Sequence, residues 1–128
     1  MKKTFLLFIL VLCSIMLFAQ KEEWLWAKKA GGKSDDYGNS IAVDANGNSY
    51  VTGTFYGSSA TFGSTTLTGS GYDDIFVAKM DSNGNWLWAR QAGGTLSDLG
   101  NSIAVDANGN SYVTGTFDGS SATYGNTI

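Results

Sequence analysis

An all-β fold of repeated four-stranded antiparallel meanders is predicted by three features of this sequence. First, the 18-residue stretch GNSIAVDANGNSYVTGTF at residues 38–55 recurs without a change at residues 100–117. The offset of 62 residues is kept by the flanks: Trp-Leu-Trp-Ala at Trp24 returns at Trp86, and Ala-Gly-Gly at Ala30 returns at Ala92. Second, short segments rich in Ile, Val, Tyr, Phe, Trp and Thr are separated by Asp-x-Asn-Gly-Asn turns. Third, no helical periodicity exists beyond an apolar leader. A period of this size describes a unit that cannot bury its own faces and stacks on the next one.

The leader comes first. Lys2 and Lys3 precede an apolar run at residues 5–18, and Ala19-Gln20 follows. A basic start, an apolar stretch and a small residue before a polar segment describe a secretory signal peptide. As a helix the run spans roughly 21 Å, short of the ~30 Å hydrocarbon core. Cleavage is expected after Ala19, although Leu17 is larger than the −3 position favours. The alternatives are an uncleaved membrane anchor or a lipid-anchored Cys13, but Val11-Leu12 lacks the small residue such processing needs. The mature chain then has no Cys, and the sequence has no His. Disulfides, thiolate sites and the commonest general base drop out.

The repeat segment, residues 20–128, is then taken in order. Residues 24–30 alternate large and small side chains and are expected as the outer strand of a preceding or closing blade. Blade one spans residues 38–92. Its first strand carries Ile41-Ala42-Val43, and Asp44-Ala45-Asn46-Gly47-Asn48 turns the chain. Asn-Gly predicts a type I′ hairpin turn, with positive φ at both residues. A second strand runs from Tyr50 to Phe55, and a Gly-, Ser- and Thr-rich connection follows. Within that connection, Thr61-Phe62-Gly63 and Thr66-Leu67 suggest a minor hairpin. The third strand carries Ile75 to Met80, Asp81 to Asn85 repeats the turn chemistry, and Trp86 opens the fourth strand. Residues 100–128 form a partial blade two.

These strands are apolar on both faces, unlike a sheet with one wet side. On a period of about 60 residues they fit blades stacked around an axis, a β-propeller. A β-solenoid or stacked sandwich is the alternative. A meander also places both Asp-x-Asn-Gly-Asn turns at one end of the sheet and the long loops at the other. The long-loop face, being longer and more varied, is the expected binding surface.

The order IAVD, GNSYVTG, DIFVAKMD, GNWLWA resembles the bacterial seven-bladed β-propeller repeat family (SBBP repeats) from Trp24 onward. That resemblance implies a long secreted or surface protein and transfers no catalytic motif to any position. Even four blades need about 250 residues at this period. The chain is therefore expected to be part of a longer reading frame, or to assemble with like subunits, because open blade faces leave large apolar patches.

Three constellations invite a chemical reading. Asp44, Asn46 and Asn48 offer oxygens at the spacing of a calcium loop, but the Gly falls at position 4 rather than 6. Position 12 holds Phe55, Ala92 or Phe117 in the three copies, where a bidentate Glu is required. Hairpin closure by Asx side chains explains the same residues. Asp35-Asp36 and Asp73-Asp74 are acidic pairs of the type used in glycoside hydrolysis. Adjacent strand residues, however, point to opposite sides. Solvated loop charges or caps at strand starts are the simpler account. The tryptophans Trp24, Trp26, Trp86 and Trp88 suit packing between blades. Asp36, Tyr37, Tyr56, Tyr72 and Asp73, on the long-loop face, are the candidate ligand contacts.

Without Lys2 and Lys3, six basic residues face eleven acidic ones, a formal charge of −5, and Arg90 is the only Arg. The clustered cations that nucleic acid or an anionic membrane surface requires are missing. No cofactor is expected. Two functions are consistent with the residues: a secreted or cell-surface scaffold binding proteins or glycans, with further repeats or like subunits as partners, and an exported hydrolase whose catalytic groups lie elsewhere or in the acidic loops. The composition favours the scaffold, because uniform repeats make similar shallow sites and catalysis needs one asymmetric constellation.

Overall fold

The computed structural model describes residues 23–125, so the leader lies outside the described residues. Nine strands and no helix are present among them: β1 (Asp36–Val43), β2 (Ser49–Tyr56), β3 (Ser59–Phe62), β4 (Thr65–Thr68), β5 (Asp73–Met80), β6 (Trp86–Gly93), β7 (Asp98–Val105), β8 (Ser111–Phe117) and β9 (Thr123–Tyr124). The strands β1, β2, β5 and β6 form the predicted antiparallel meander, and β9 adds a fifth strand beyond β6. The minor hairpin is β3–β4. The second copy of the 18-residue stretch folds as the first does: Ile41 opposes Val51 as Ile103 opposes Val113, with the same register shift after Gly38 and Gly100.

Alternation along β2, β5 and β6 gives the sheet two faces. One carries Phe55, Phe76, Ala78 and Ala89, and the β3–β4 hairpin covers it with Ala60, Phe62 and Leu67. Phe62 sits 4.9 Å from Phe76 and meets Trp86 edge-on at 5.2 Å, so aromatic contact locks hairpin to sheet. The other face carries Thr52, Thr54 and Ile75, and β7 lies across it. That approach needs a glycine. A Cβ on Gly100 would lie 2.7 Å from Thr52 Oγ1 and 2.8 Å from the Gly53 carbonyl. Three polar bonds fix the stacking: Asn39 Nδ2 donates to the Gly100 carbonyl at 2.8 Å, Ile103 N donates to Ser40 Oγ at 3.3 Å, and the Tyr50 hydroxyl donates to the Gly109 carbonyl at 3.3 Å.

Three features depart from expectation. Residues 24–30 form no ladder. Their counterpart β6 pairs with β5, whereas no strand pairs with residues 24–30 among the described residues. The Asn-Gly turns are not type I′: no non-glycine residue among those described has positive φ, and within these turns it falls only on Gly47, Gly84 and Gly109, at 78°, 77° and 79°. Gly47 N donates to the Asp44 carbonyl at 3.0 Å and Asp44 N to that of Asn48 at 3.0 Å, a three-residue loop closed by a glycine bulge. Finally, each hairpin region bonds to the end of the Trp-strand segment before it. Thr61 and Gly31 exchange hydrogen bonds of 3.0 and 3.1 Å, and Thr123 pairs with Gly93 in the same place one repeat on.

Candidate functional site

The two ends of the sheet differ in what they offer a ligand. At the short-turn end, each Asp spends its carboxylate on its own loop. Asp44 Oδ1 accepts from Asn46 N and Asn48 N, both at 2.9 Å, while Oδ2 accepts from Asn48 Nδ2 at 2.8 Å and the Tyr50 hydroxyl at 3.3 Å. Asp81 and Asp106 repeat the arrangement. The Asn48 side chain, a calcium ligand in the sequence reading, turns its amide rather than its oxygen to Asp44. Asn48 is the largest influence holding the Asp44 carboxyl below its ordinary value, as Asn85 does for Asp81 and Asn110 for Asp106. Among the described residues, no group of three or more His, Cys, Asp or Glu could hold a metal ion.

At the long-loop end the candidate residues separate. Tyr37 and Tyr56 come together with ring centroids 5.9 Å apart in an edge-on pair, and both are exposed. Tyr72 is also exposed. A polar hollow of about 150 Å³ lies beside Tyr56, lined by Lys33, Ser34, Ser58 and Ser59. The Asp73 carboxylate, before burial and the nearby Tyr37 and Asp35, holds the Tyr56 hydroxyl above its ordinary pKa. Asp73 itself is buried. Asp36 is half-buried, and its Oδ2 accepts from Gly32 N at 2.6 Å. Asp36 thus supports a loop, while Asp73 lies buried with its Oδ1 unpartnered and acts on Tyr56 through its charge.

Asp36 belongs to a pattern that the acidic pairs only hinted at. Asp98, its counterpart one repeat on, accepts from Gly94 N at 2.6 Å, and Asp74 accepts from Ser70 N and Gly71 N at 2.8 and 3.2 Å. One member of each pair is therefore a clasp for a glycine-bearing loop before its strand. The sequence signal was the glycine three to four residues upstream of each of these aspartates.

The third surface is apolar. A cavity of about 240 Å³ opens where β1 meets the hairpin-covered face, lined by Tyr37, Val51, Phe55, Phe62, Phe76 and Trp86 among others. Beside it Ile41 is 61% exposed, whereas Ile103, the same residue of the same motif, is 7% exposed beneath the first blade. At the opposite side of the molecule Tyr112 is 61% exposed, against 1% for Tyr50, whose hydroxyl reaches the Gly109 carbonyl of the second copy. The first copy thus lacks a neighbour on one face, and the second copy lacks one on the other.

No solved structure matches the chain. It is 34% identical over 111 residues to a protein of Acanthamoeba polyphaga mimivirus named as an uncharacterized WD repeat-containing protein. The alignment takes in 73% of this chain and 8% of that protein, so the chain spans a small part of the relative's length. A family profile described as a β-propeller repeat matches residues 25–54 and 87–120, which together make up half of the chain. Both matched segments run from a Trp-Leu-Trp-Ala stretch, across the loop clasped by Asp36 or Asp98, into the hairpin below Ile41 or Ile103. The chain belongs to the SBBP β-propeller repeat family.

Proposed function

We propose that this protein is an exported interaction scaffold whose open blade surfaces take further blades of the same kind, either from additional repeats or from like subunits. The observation that carries this reading is the pair Ile41 and Ile103. Identical residues in identical motifs differ in exposure only because a sheet covers one and not the other. The bare face at Ile41 and the bare face of β8 are the two halves of the junction already formed inside the chain. A second copy docked head to tail would place its Gly38 carbonyl against the Asn101 amide, as Gly100 sits against Asn39 here. Such a contact uses different patches on the two partners and builds rings or filaments. Open apolar faces of this kind are characteristic of interfaces.

The exposed pair Tyr37 and Tyr56, with the polar hollow beside it, is the surface proposed to contact a ligand. Flat aromatic faces next to hydroxyls and Lys33 suit a glycan or a polar peptide loop. The Lys2-Lys3 start and apolar run support export.

Sedimentation of the chain from Gln20 onward, over a range of concentrations, tests the scaffold. Reversible association is expected, and Ile41→Asp is expected to abolish it while leaving the circular dichroism spectrum unchanged. A parent that stays monomeric throughout, or an Ile41→Asp variant that associates equally well, would overturn the reading.

A further inference from the structure

Two carboxyls meet where the ends of β5 and β6 reach the start of β7. Asp74 and Asp98 are both fully buried. The missing side chain of Gly93 is what lets them approach: a Cβ there would run into Asp74 Oδ1 and lie 2.9 Å from Asp98 Oδ2. Three of the four carboxyl oxygens are engaged. Asp74 Oδ2 accepts from Ser70 N and Gly71 N, Asp98 Oδ2 from Gly94 N, and Asp98 Oδ1 from Asp118 N at 3.1 Å. Asp74 Oδ1 is buried with no partner.

The charges acting on Asp74 are acidic. They are Asp98 on β7 and Asp73 beside it on β5. Asp73 in turn faces the Tyr56 hydroxyl of β2, and the loop at residues 69–71 presents only N–H groups to Asp74. Two ionised carboxylates in such a place are strongly unfavourable. A calcium ion needs six to eight oxygens, and the site has one oxygen that is not already accepting a hydrogen bond. A single proton removes one charge and turns the idle oxygen into a donor.

We propose that Asp74 holds a proton on Oδ1, beside Asp98 across Gly93, so that the junction of the first and second blades is a proton-binding site that weakens as pH rises. The proton is taken from solvent on folding and returned to it when Asp74 ionises. Burial raises the Asp74 pKa most, the Ser70 and Gly71 N–H groups oppose this, and the Asp98 and Asp73 charges raise it further. A raised folded-state pKa gives stability that is fully present below the unfolded value of 3.8 and is lost as pH rises through the folded value. The repeat supplies its own control. Asp36 accepts from Gly32 N as Asp98 does from Gly94 N, and its Oδ1 is likewise buried without a partner, but the residue one period before Asp74 is Leu12, not an acid.

Thermal unfolding of the full chain from about pH 4 to about pH 8 tests this. The parent should lose melting temperature as pH rises above the ordinary carboxyl range. Asp74→Asn keeps a donor without the titration and should hold its melting temperature there, whereas Asp36→Asn should follow the parent. The same fall in Asp74→Asn as in the parent would overturn the proposal. So would calcium or magnesium at high pH raising the parent's melting temperature but not that of Asp74→Asn, which would make the pair a cation site. Should Asp74→Asn not fold, infrared spectroscopy of the parent decides: part of the C=O stretch of protonated carboxylic acid must outlast the exposed carboxyls as pH rises and be lost later than they are, and a band that disappears wholly with the exposed carboxyls refutes the proton on Asp74.

Discussion

At the scale of single residues, aspartate does two opposite jobs in this chain. Asp44, Asp81 and Asp106 close hairpins with both oxygens accepting from N–H groups, and each carboxyl is held below its ordinary pKa. A lowered folded-state pKa gives stability that is present above the unfolded value of 3.8 and lost as pH falls through the folded one. These three hairpin closures therefore weaken in acid, whereas Asp74 contributes a loss in the alkaline direction. Asp81→Ala should lower the melting temperature at neutral pH and reduce its fall below about pH 4. Asp81→Asn, which keeps one acceptor oxygen, should lie between parent and Asp81→Ala. Calorimetry across pH reads both effects. The loop clasps at Asp36, Asp74 and Asp98 could be suspected from the sequence as caps at strand starts. Which member of each Asp pair holds a loop could not, because that depends on where the glycine N–H groups come to lie.

At the scale of elements, the matched positions Gly38 and Gly100 separate intrinsic strand chemistry from packing. Both begin the same motif in the same register. A Cβ on Gly38 would have only Val51 near it, at 3.9 Å, whereas one on Gly100 would press on Thr52, Gly53 and Ile75, all at 2.7–2.9 Å. Gly100→Ala should then cost about 1–3 kcal/mol in strain and backbone shift. Gly38→Ala should change stability by no more than about 0.5 kcal/mol, as surface substitutions do. Urea unfolding of the two variants makes the comparison, and equal losses would mean that the blade junction does not persist in solution. The strand segments, the β3–β4 hairpin and the turn positions were legible because Val, Ile, Phe and Thr runs and Asn-Gly pairs act locally. The turn type was misread: Asn46 tolerates positive φ, but the loop asks it only of Gly47.

At the scale of the whole molecule, stability is unevenly spread. The inner strands β2 and β5 are hydrogen-bonded on both sides, and their Thr52, Thr54, Phe55 and Phe76 side chains are covered. The strand β8 pairs with β7 alone, and six of its seven residues display the same sequence as β2 to solvent. Hydrogen exchange should accordingly protect the amides of Thr52 and Phe55 far more than those of Thr114 and Phe117, although the sequences are identical. Addition of a partner that supplies the missing blade should close that gap, and nuclear magnetic resonance measures it residue by residue.

The sequence by itself determined the repeat, its period, the strands and turns within it and the family, because these follow from neighbours along the chain. Only the tertiary structure decided which copy of an identical residue is buried, where the hairpin of one repeat bonds the Trp-strand segment of another, and that Asp74 faces Asp98 across Gly93. Residues 24–30 show the limit most plainly: they carry the letters of a strand, yet a strand exists only where a second backbone offers its hydrogen bonds.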